Sequence, residues 1–402
     1  FSGAVAAIDG APAPGDVVDV VAAAGDWVGR GHISPASQIV VRVMTLDAAE
    51  TLDDDAWRWR IERAVALRAR LGLLARPDGA CRLVHAESDG LPGLVVDRYA
   101  DWLVIQLLTA GADARRDALV RLLAEAVGRH AAVRGVYERS TDEVRAKEGL
   151  AAEQGVRLGE APPVPIAIAE PGVRGDVALD VDVVAGHKTG AYLDQAANRR
   201  AVAAWCGGAD VLNAFSYTGG FALHALAAGA QRVTNVDSSA PALARAAATA
   251  AAAGWAVDDG SPDAADGAPI APAGRMTNVE ANVFGYLRAC RAAGRTFDVV
   301  ILDPPKFVHH AGQVEKAARA YKDLMWVGLQ VLRPDGILAA FSCSGLLSTD
   351  LFGKILFAAA TDAERDVQVV ARLSQPPDHP VRAAFPEGAY LKGVIARALP
   401  ER

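Results

Sequence analysis

Two short stretches carry residues whose types and spacing can do chemistry on a ring. Phe297-Asp-Val-Val-Ile-Leu302 reads as a buried strand, and Asp303-Pro304-Pro305-Lys306-Phe307 follows at its carboxyl end, where ligands bind in open α/β sheets. The prolines remove backbone donors and stiffen the chain, which leaves the Asp303 carboxylate and nearby carbonyls as acceptors for an exocyclic amine or a ring nitrogen. The strand expected over 337–342 ends in Cys343, flanked by Ser342 and Ser344, so its thiol can face the same pocket. A thiolate adding to carbon 6 of a cytosine turns the ring into an enamine whose carbon 5 can attack a methyl group, a step that nitrogen and ribose methylation do not need. The plainer alternatives are that Asp303 caps the following turn and that Cys343 packs in a core. Packing is the reading given to Cys81, Cys206 and Cys290.

A second candidate lies upstream. Asp210-Val-Leu-Asn-Ala-Phe215 is followed by Ser216-Tyr-Thr-Gly-Gly-Phe221, so Gly219 and Gly220 fall at a turn between a buried strand and a helix, where backbone can approach a ligand closely. Asp237 ends the next strand, eighteen residues beyond Gly219, near the spacing at which an acid meets ribose hydroxyls in dinucleotide folds. There is no GxGxxG, so a nucleotide-like cofactor and an ordinary structural turn both stay open.

These residues need elements to position them. From 209 onward the chain alternates strand patterns (209–214, 232–236, 299–302, 337–341) with helix patterns (219–229, 240–253), which implies a parallel sheet covered on both faces. The stretch 255–275, rich in Asp, Gly, Pro and Ala, reads as a mobile surface insertion. Near the start, strands over 16–22, 27–30 and 39–45, broken by Gly25, Gly29 and Gly31, make a small β module. A helix over 54–74 carries Arg58, Arg60, Arg63, Arg68 and Arg70, with Arg76 just beyond; it reads as a solvated face, with an RNA-backbone contact as the alternative. Short strands over 80–109, turning at Asp89-Gly90 and Pro92-Gly93, and an amphipathic helix over 114–130 give an α+β unit. It ends at the proline-rich 161–165 and the Glu170-Pro171-Gly172 turn.

With 402 residues, 51% of them hydrophobic and 22% charged, two or three domains are expected. No uninterrupted apolar run of about 18 residues appears, so a soluble protein without a membrane partner is expected. Phe1 stands where a Met would begin a chain and no signal stretch follows, so the true start is expected to lie upstream. The four cysteines lie far apart, without a CxxC pair or a His at metal-ligand spacing, so neither a metal site nor a disulfide framework is expected and a reducing cytoplasm fits. A formal net charge of −7 excludes a protein that coats nucleic acid through bulk charge. The first fifty residues hold two arginines against six acids, so any RNA contact would come from local patches. The apolar content permits a homodimer.

Longer motifs carry a resemblance. Gly186-His-Lys-Thr-Gly-Ala-Tyr-Leu-Asp-Gln195, Asn213-Ala-Phe-Ser-Tyr-Thr-Gly-Gly-Phe221, Asp303-Pro-Pro-Lys-Phe307 and Phe341-Ser-Cys-Ser-Gly345 resemble the bacterial large-subunit ribosomal RNA (cytosine-5) methyltransferases. So do Glu87-Ser-Asp-Gly-Leu-Pro-Gly93 and the tail from His379-Pro-Val to Tyr390-Leu-Lys-Gly393, which extends the resemblance over nearly the whole chain. It implies an α/β protein: a small β PUA module for RNA over 1–50, a central α+β domain over 51–174, and a Rossmann-like class I methyltransferase domain over 175–402. It also implies S-adenosyl-L-methionine as cofactor, large-subunit ribosomal RNA as partner, and methyl transfer to carbon 5 of a cytosine through a covalent cysteine adduct.

Carried over position by position, Lys188, Tyr192, Asp194, Gln195 and Arg199 would help hold the cofactor, and Phe215, Ser216, Gly219 and Gly220 would form its loop. Asp237 would take the ribose hydroxyls; Asp303 would contact the target base beside Pro304, Pro305, Lys306 and Phe307; Cys343 would be the nucleophile. Where the family usually has an Asp before Val-Phe, facing the adenine amine, this sequence has Asn282, which accepts through its carbonyl but carries no charge. Two other readings stay open: an RNA methyltransferase of different base chemistry, such as guanine nitrogen methylation, and a non-catalytic ribosome-assembly factor.

Overall fold

The computed structural model describes residues 1–258, 274–308 and 310–400. The chain falls into two compact units, the first made of Phe1–Ile168, Val181–Leu193 and Pro377–Gly388, the second of Ala169–Asp180, Asp194–Pro376 and Ala389–Arg402.

In the first unit β1 (Val17–Val21), β2 (Trp27–Ile33) and β3 (Val41–Thr45) form an antiparallel sheet in that order. β2 runs beyond the expected 27–30 because His32 and Ile33 are buried, His32 with its Nδ1 2.8 Å from the Gly15 carbonyl oxygen. Helix α1 (Asp54–Arg70) starts at Asp53, whose side chain accepts from the Asp55 and Ala56 amides. Then follow β4 (Ala80–His85), β5 (Leu94–Tyr99), β6 (Trp102–Leu107), α2 (Ala110–Asp113), α3 (Arg116–Gly128), β7 (Gly135–Ser140), α4 (Val144–Lys147) and β8 (Glu153–Gly159). Their five strands pair in chain order, and the core between sheet and helices contains Trp57, Ile61, Leu83, Leu103 and Leu123.

The solvated-face expectation for α1 needs correction at two positions. Arg68 is fully buried and grips Asp89 through two bonds of 2.9 Å, and Arg60 is buried against Glu50 at 2.7 Å. Arg58 is paired as well, with Glu125 at 2.7 Å. The helical period puts Arg60 and Arg68 on the same face as Trp57, Ile61 and Ala64, so they follow the edge of the core and not the solvent.

A two-stranded sheet of β9 (Ile166–Pro171) and β10 (Asp176–Val181) comes next. The second unit continues with α5 (Ala196–Ala203), β11 (Asp210–Ala214), α6 (Gly220–Ala227), β12 (Arg232–Asp237), α7 (Ala240–Ala252), β13 (Ala256–Asp258), β14 (Arg275–Glu280), α8 (Val283–Ala292) and β15 (Phe297–Leu302). It closes with α9 (Val314–Gln330), β16 (Leu332–Ser342), α10 (Thr349–Asp362), β17 (Val367–Ser374) and β18 (Lys392–Ala398). These strands form one eight-stranded sheet in the order β13-β14-β12-β11-β15-β16-β18-β17.

β11, β12 and β15 match the alternation expected from 209 onward, and β11 is buried along its whole length, as a strand covered on both faces must be. The expectation of a parallel sheet fails at one edge, where β18 runs antiparallel to both β16 and β17. Parallel neighbours need a crossover connection, usually a helix. The segment 375–391 contains no α-helix, and the chain returns in the opposite direction. The expected surface insertion over 255–275 is corrected at its start, where β13 (Ala256–Asp258) pairs with β14 in the sheet, while 259–273 lies outside the described residues.

Candidate active site

After β11 the chain turns through Phe215, Tyr217 and Gly219, all left-handed, at φ 60°, 48° and 75°. Non-glycine residues in that region cost of order 1 kcal/mol or more each and persist only where surrounding bonds fix them. Here the Ser216 amide donates to the Val236 carbonyl at 3.2 Å and the Gly219 amide to the Ser216 carbonyl at 2.8 Å. Asp237, at the end of β12, accepts from the Tyr217 amide at 2.8 Å and from the Ser239 amide at 2.9 Å, tying the loop to the start of α7. A Cβ on Gly219 would lie 2.9 Å from the Ala246 Cβ and 3.3 Å from Asn235 Nδ2, so this position has room only for glycine.

Beneath the loop, Asn213, Asn235 and Asn278 stand in register on β11, β12 and β14, and each amide donates to the next at 2.9 Å. Ser216 Oγ is buried without a hydrogen-bond partner, and the Phe215 ring meets Phe284 edge-on at 6.1 Å. A backbone-lined cradle with an orphaned hydroxyl and one carboxylate at its rim fits an adenosyl cofactor. Asn282 caps α8, its Oδ1 accepting from the Gly285 amide at 3.2 Å, so the carbonyl the sequence offers to an adenine is engaged by its own helix.

β15 and β16 are parallel neighbours with Leu302 opposite Ala340, so Asp303 and Cys343 leave the sheet at the same edge. Asp303 Oδ1 accepts from Gln195 Nε2 at 3.0 Å, and Gln195 Oε1 in turn accepts from Asn198 at 2.7 Å. Asp194 accepts from the Tyr390 hydroxyl at 2.6 Å. Pro304 is buried, while Pro305 and Lys306 are exposed. Phe307 is half-buried, its ring 6.3 Å from Phe284 and 4.8 Å from Tyr321.

Cys343 is partly exposed between the buried Ser342 and Ser344. Cys81, Cys206 and Cys290 are buried as expected, and burial pushes the thiols of Cys81 and Cys206 up to about 12. None of the four cysteines forms a disulfide. Lys392 is also buried, and its Nζ donates to the Ser344 carbonyl oxygen at 2.6 Å. Burial brings its ammonium down to about 8, against an opposing pull from Cys343. Among the described residues no group of His, Cys, Asp and Glu is arranged to hold a metal ion.

Arg199 is turned to Glu170, its Nε 2.8 Å from Oε2 and its Nη2 bonded to Oε1, while His224 Nε2 lies 3.0 Å from the same carboxylate. Burial works to raise the Glu170 carboxyl, but Arg199 and His224 outweigh it and hold it at about 2. The Arg199 Cδ stands 3.0 Å from where a Cβ on Gly220 would be, so this side chain walls the glycine loop from behind.

Lys188 and Tyr192 belong to the first unit. Lys188 is exposed at φ 52°, its Nζ 4.5 Å over the Tyr192 ring, and the neighbouring Thr189 donates to Asp97 at 2.5 Å. The motif Gly186 to Gln195 is thus divided, with Asp194 and Gln195 alone in the unit that holds Asp303 and Cys343. Sequence reasoning assigned no role to Glu170, Tyr321, Tyr390 or Lys392. The tail motif Tyr390-Leu-Lys-Gly393 was the one signal for two of them.

A largely parallel sheet with a glycine turn after β11, an acid at the end of β12 and a carboxylate and a thiol just beyond β15 and β16 defines a Rossmann-like α/β fold with its candidate site at the carboxyl ends of the strands. A family model for S-adenosylmethionine-dependent methyltransferases matches residues 81–395, and one for PUA-like domains matches residues 1–46. The chain belongs to the S-adenosylmethionine-dependent methyltransferase family, and its cofactor is S-adenosyl-L-methionine.

Among its relatives is the ribosomal RNA large subunit methyltransferase I of Shewanella denitrificans, 49% identical over 390 residues, or 96% of this chain and 91% of that one. The protein of the same name from Photobacterium profundum is 45% identical over 98% of this chain and 93% of its own. Among solved structures, a chain from Streptococcus mutans presented as a SAM-dependent methyltransferase superposes with a TM-score of 0.77 at 21% identity, covering 97% of this chain and 93% of that one. A methyltransferase complexed with S-adenosylhomocysteine gives the same TM-score and identity over 96% and 92%. These two likenesses bear on the fold. Among the described residues no helix is long and apolar enough to cross a membrane.

Proposed function

We propose that the chain transfers a methyl group from S-adenosyl-L-methionine to carbon 5 of a cytosine in large-subunit ribosomal RNA, in the cytoplasm, through a covalent adduct on Cys343. The observation that carries the chemistry is the pairing of β15 and β16, whose carboxyl ends lead to Asp303 and Cys343. The substrate class rests on the names of relatives 45% to 49% identical to this chain. The division into an RNA-binding PUA module over 1–50, a central domain over 51–174 and a methyltransferase domain over 175–402 belongs to the same proposal.

In this reading the 215–220 loop and Ser216 take the adenosyl group, and Asp237 takes the ribose hydroxyls. Bound there, the cofactor supplies an electrophilic methyl on its sulfonium. The Cys343 thiolate adds to carbon 6 of the base. Asp303, held by Gln195, accepts from the amino group of the cytosine and so orients the ring. Once carbon 5 carries the transferred methyl, its proton passes to a base, the C–H electron pair re-forms the 5,6 double bond, and the thiolate leaves carbon 6, which restores the enzyme.

The test is transfer of labelled methyl to large-subunit ribosomal RNA from a strain lacking the endogenous activity, followed by bisulfite sequencing. One newly protected cytosine, absent with Cys343→Ala, supports the reading. A 5-fluorocytosine RNA that forms no stable adduct, with label entering RNA at no protected cytosine, moves the assignment to another base chemistry. Bound cofactor without any label on RNA or subunits moves it to an assembly factor.

A further inference from the structure

Lys392 stands opposite Ser342 of β16 and Ser374 of β17 and is only 5% exposed. Its Nζ is anchored on the carbonyl oxygen of Ser344, the residue after Cys343. Among the described residues no carboxylate pairs with this lysine, and the one charge that bears on its titration is that of Cys343. An ammonium buried without a counter-ion costs several kcal/mol, so either the proton or an anion must come from nearby. The partly exposed thiol of Cys343, the residue before the anchoring Ser344, can supply both.

Resting on the reading of Cys343 as nucleophile, we propose that Lys392 takes the thiol proton of Cys343 and holds the resulting thiolate as its counter-ion. The S–H bond breaks with its electron pair left on sulfur, an N–H bond forms on Nζ, and amine plus thiol becomes ammonium plus thiolate with no change in net charge. When the thiolate is expelled at the end of the reaction, the same pair re-forms. An amine that exchanges its proton near neutral pH suits this task, because the transfer must run both ways at working pH.

Among the described residues, three elements bring groups toward the pair. Tyr321 approaches from α9, its hydroxyl 3.4 Å from Ser344 Oγ and its phenol raised by burial. Asp303 lies at the end of β15 and, with Cys343, bears on Tyr321. Tyr390, just before β18, is bonded to Asp194, and the β17 neighbour Ser374 is uncharged.

The experiment is iodoacetamide alkylation of Cys343 in the full chain across about pH 5.5 to 9.5, read by mass spectrometry of its peptide, since only the thiolate reacts. Wild type is expected to show a midpoint at least about one unit below the ordinary thiol value near 8.5. Lys392→Met should return the midpoint toward that value and slow alkylation at pH 7 about tenfold. Lys392→Arg, permanently charged, should keep the low midpoint. The methylation rate of Lys392→Met should fall in parallel at pH 7 and recover toward wild type at high pH, with KM for S-adenosyl-L-methionine unchanged.

A wild-type midpoint near the ordinary value, or one that Lys392→Met leaves in place, overturns the proposal and reduces Lys392 to an anchor for the Ser344 carbonyl. The wild-type profile decides even where the variant does not fold. A Cys343→Ala protein that still methylates RNA overturns the nucleophile reading instead, and the alkylation profile does not depend on that result.

Discussion

Two buried charged clusters in the second unit differ in how their charges are met. In one, Glu170 lies between Arg199 and His224, and its carboxylate bonds to both. In the other, Lys392 has a carbonyl and, among the described residues, no carboxylate, with the thiol of Cys343 bearing on it. A charge already matched by its partner has little left to offer a ligand, so the first cluster holds α5 and α6 together behind the 215–220 loop. A charge left without a permanent counter-ion is poised to respond when an anion forms. The difference teaches that burial alone does not mark a working residue here; burial without a matched partner does.

The comparison breaks most visibly at the reactive corner. Cys343→Ala should reduce methylation of ribosomal RNA to background while leaving S-adenosyl-L-methionine affinity, measured by calorimetry, within about twofold of wild type. Loss of cofactor binding together with activity would mean that the thiol packs and does not react. Next in size is Arg199→Met, which leaves the Glu170 carboxylate buried without its guanidinium and should cost about 3–5 kcal/mol in urea unfolding. If stability held and cofactor affinity fell instead, Arg199 would belong with the ligand-binding residues and the contrast would dissolve.

A smaller effect appears with acid. The Glu170 carboxyl is held at about 2 against an ordinary value of 4.5, so its stabilisation is fully present above 4.5 and is lost as pH falls toward 2. Between those values wild type should lose stability more steeply than Glu170→Gln, followed by urea midpoints at successive pH. Smallest is Gly219→Ala, where φ of 75° and the 2.9 Å approach to Ala246 should cost about 1–2 kcal/mol and weaken cofactor binding. An unchanged affinity would detach this turn from the cofactor.

Much of the sheet was legible because β15 is a short, mostly apolar run and β11 and β12 are short valine-bearing segments bounded by turn residues, which together signal strands. Asp303 and Cys343 could be found as candidates because each ends such a run. The arginines of α1 were harder to read: charge alone cannot tell that Arg60 and Arg68 would find Glu50 and Asp89 at the edge of a core. The antiparallel edge was hidden for a similar reason, since β18 is an apolar strand whose direction depends on the connection that delivers it.

By itself the sequence determined the alternation of elements, the left-handed glycine turn and the residue types at the strand ends, all of which depend on neighbours a few positions away. Tertiary structure decided which side chains meet. Gln195 reaches Asp303 across 108 residues, Tyr390 reaches Asp194 across 196, and Lys392 reaches the Ser344 carbonyl across 48. Those pairings set the electrostatics of the site, and they exist only once the sheet has brought distant strands into register, because a charge is tuned by what lies within a few ångströms in space and not along the chain.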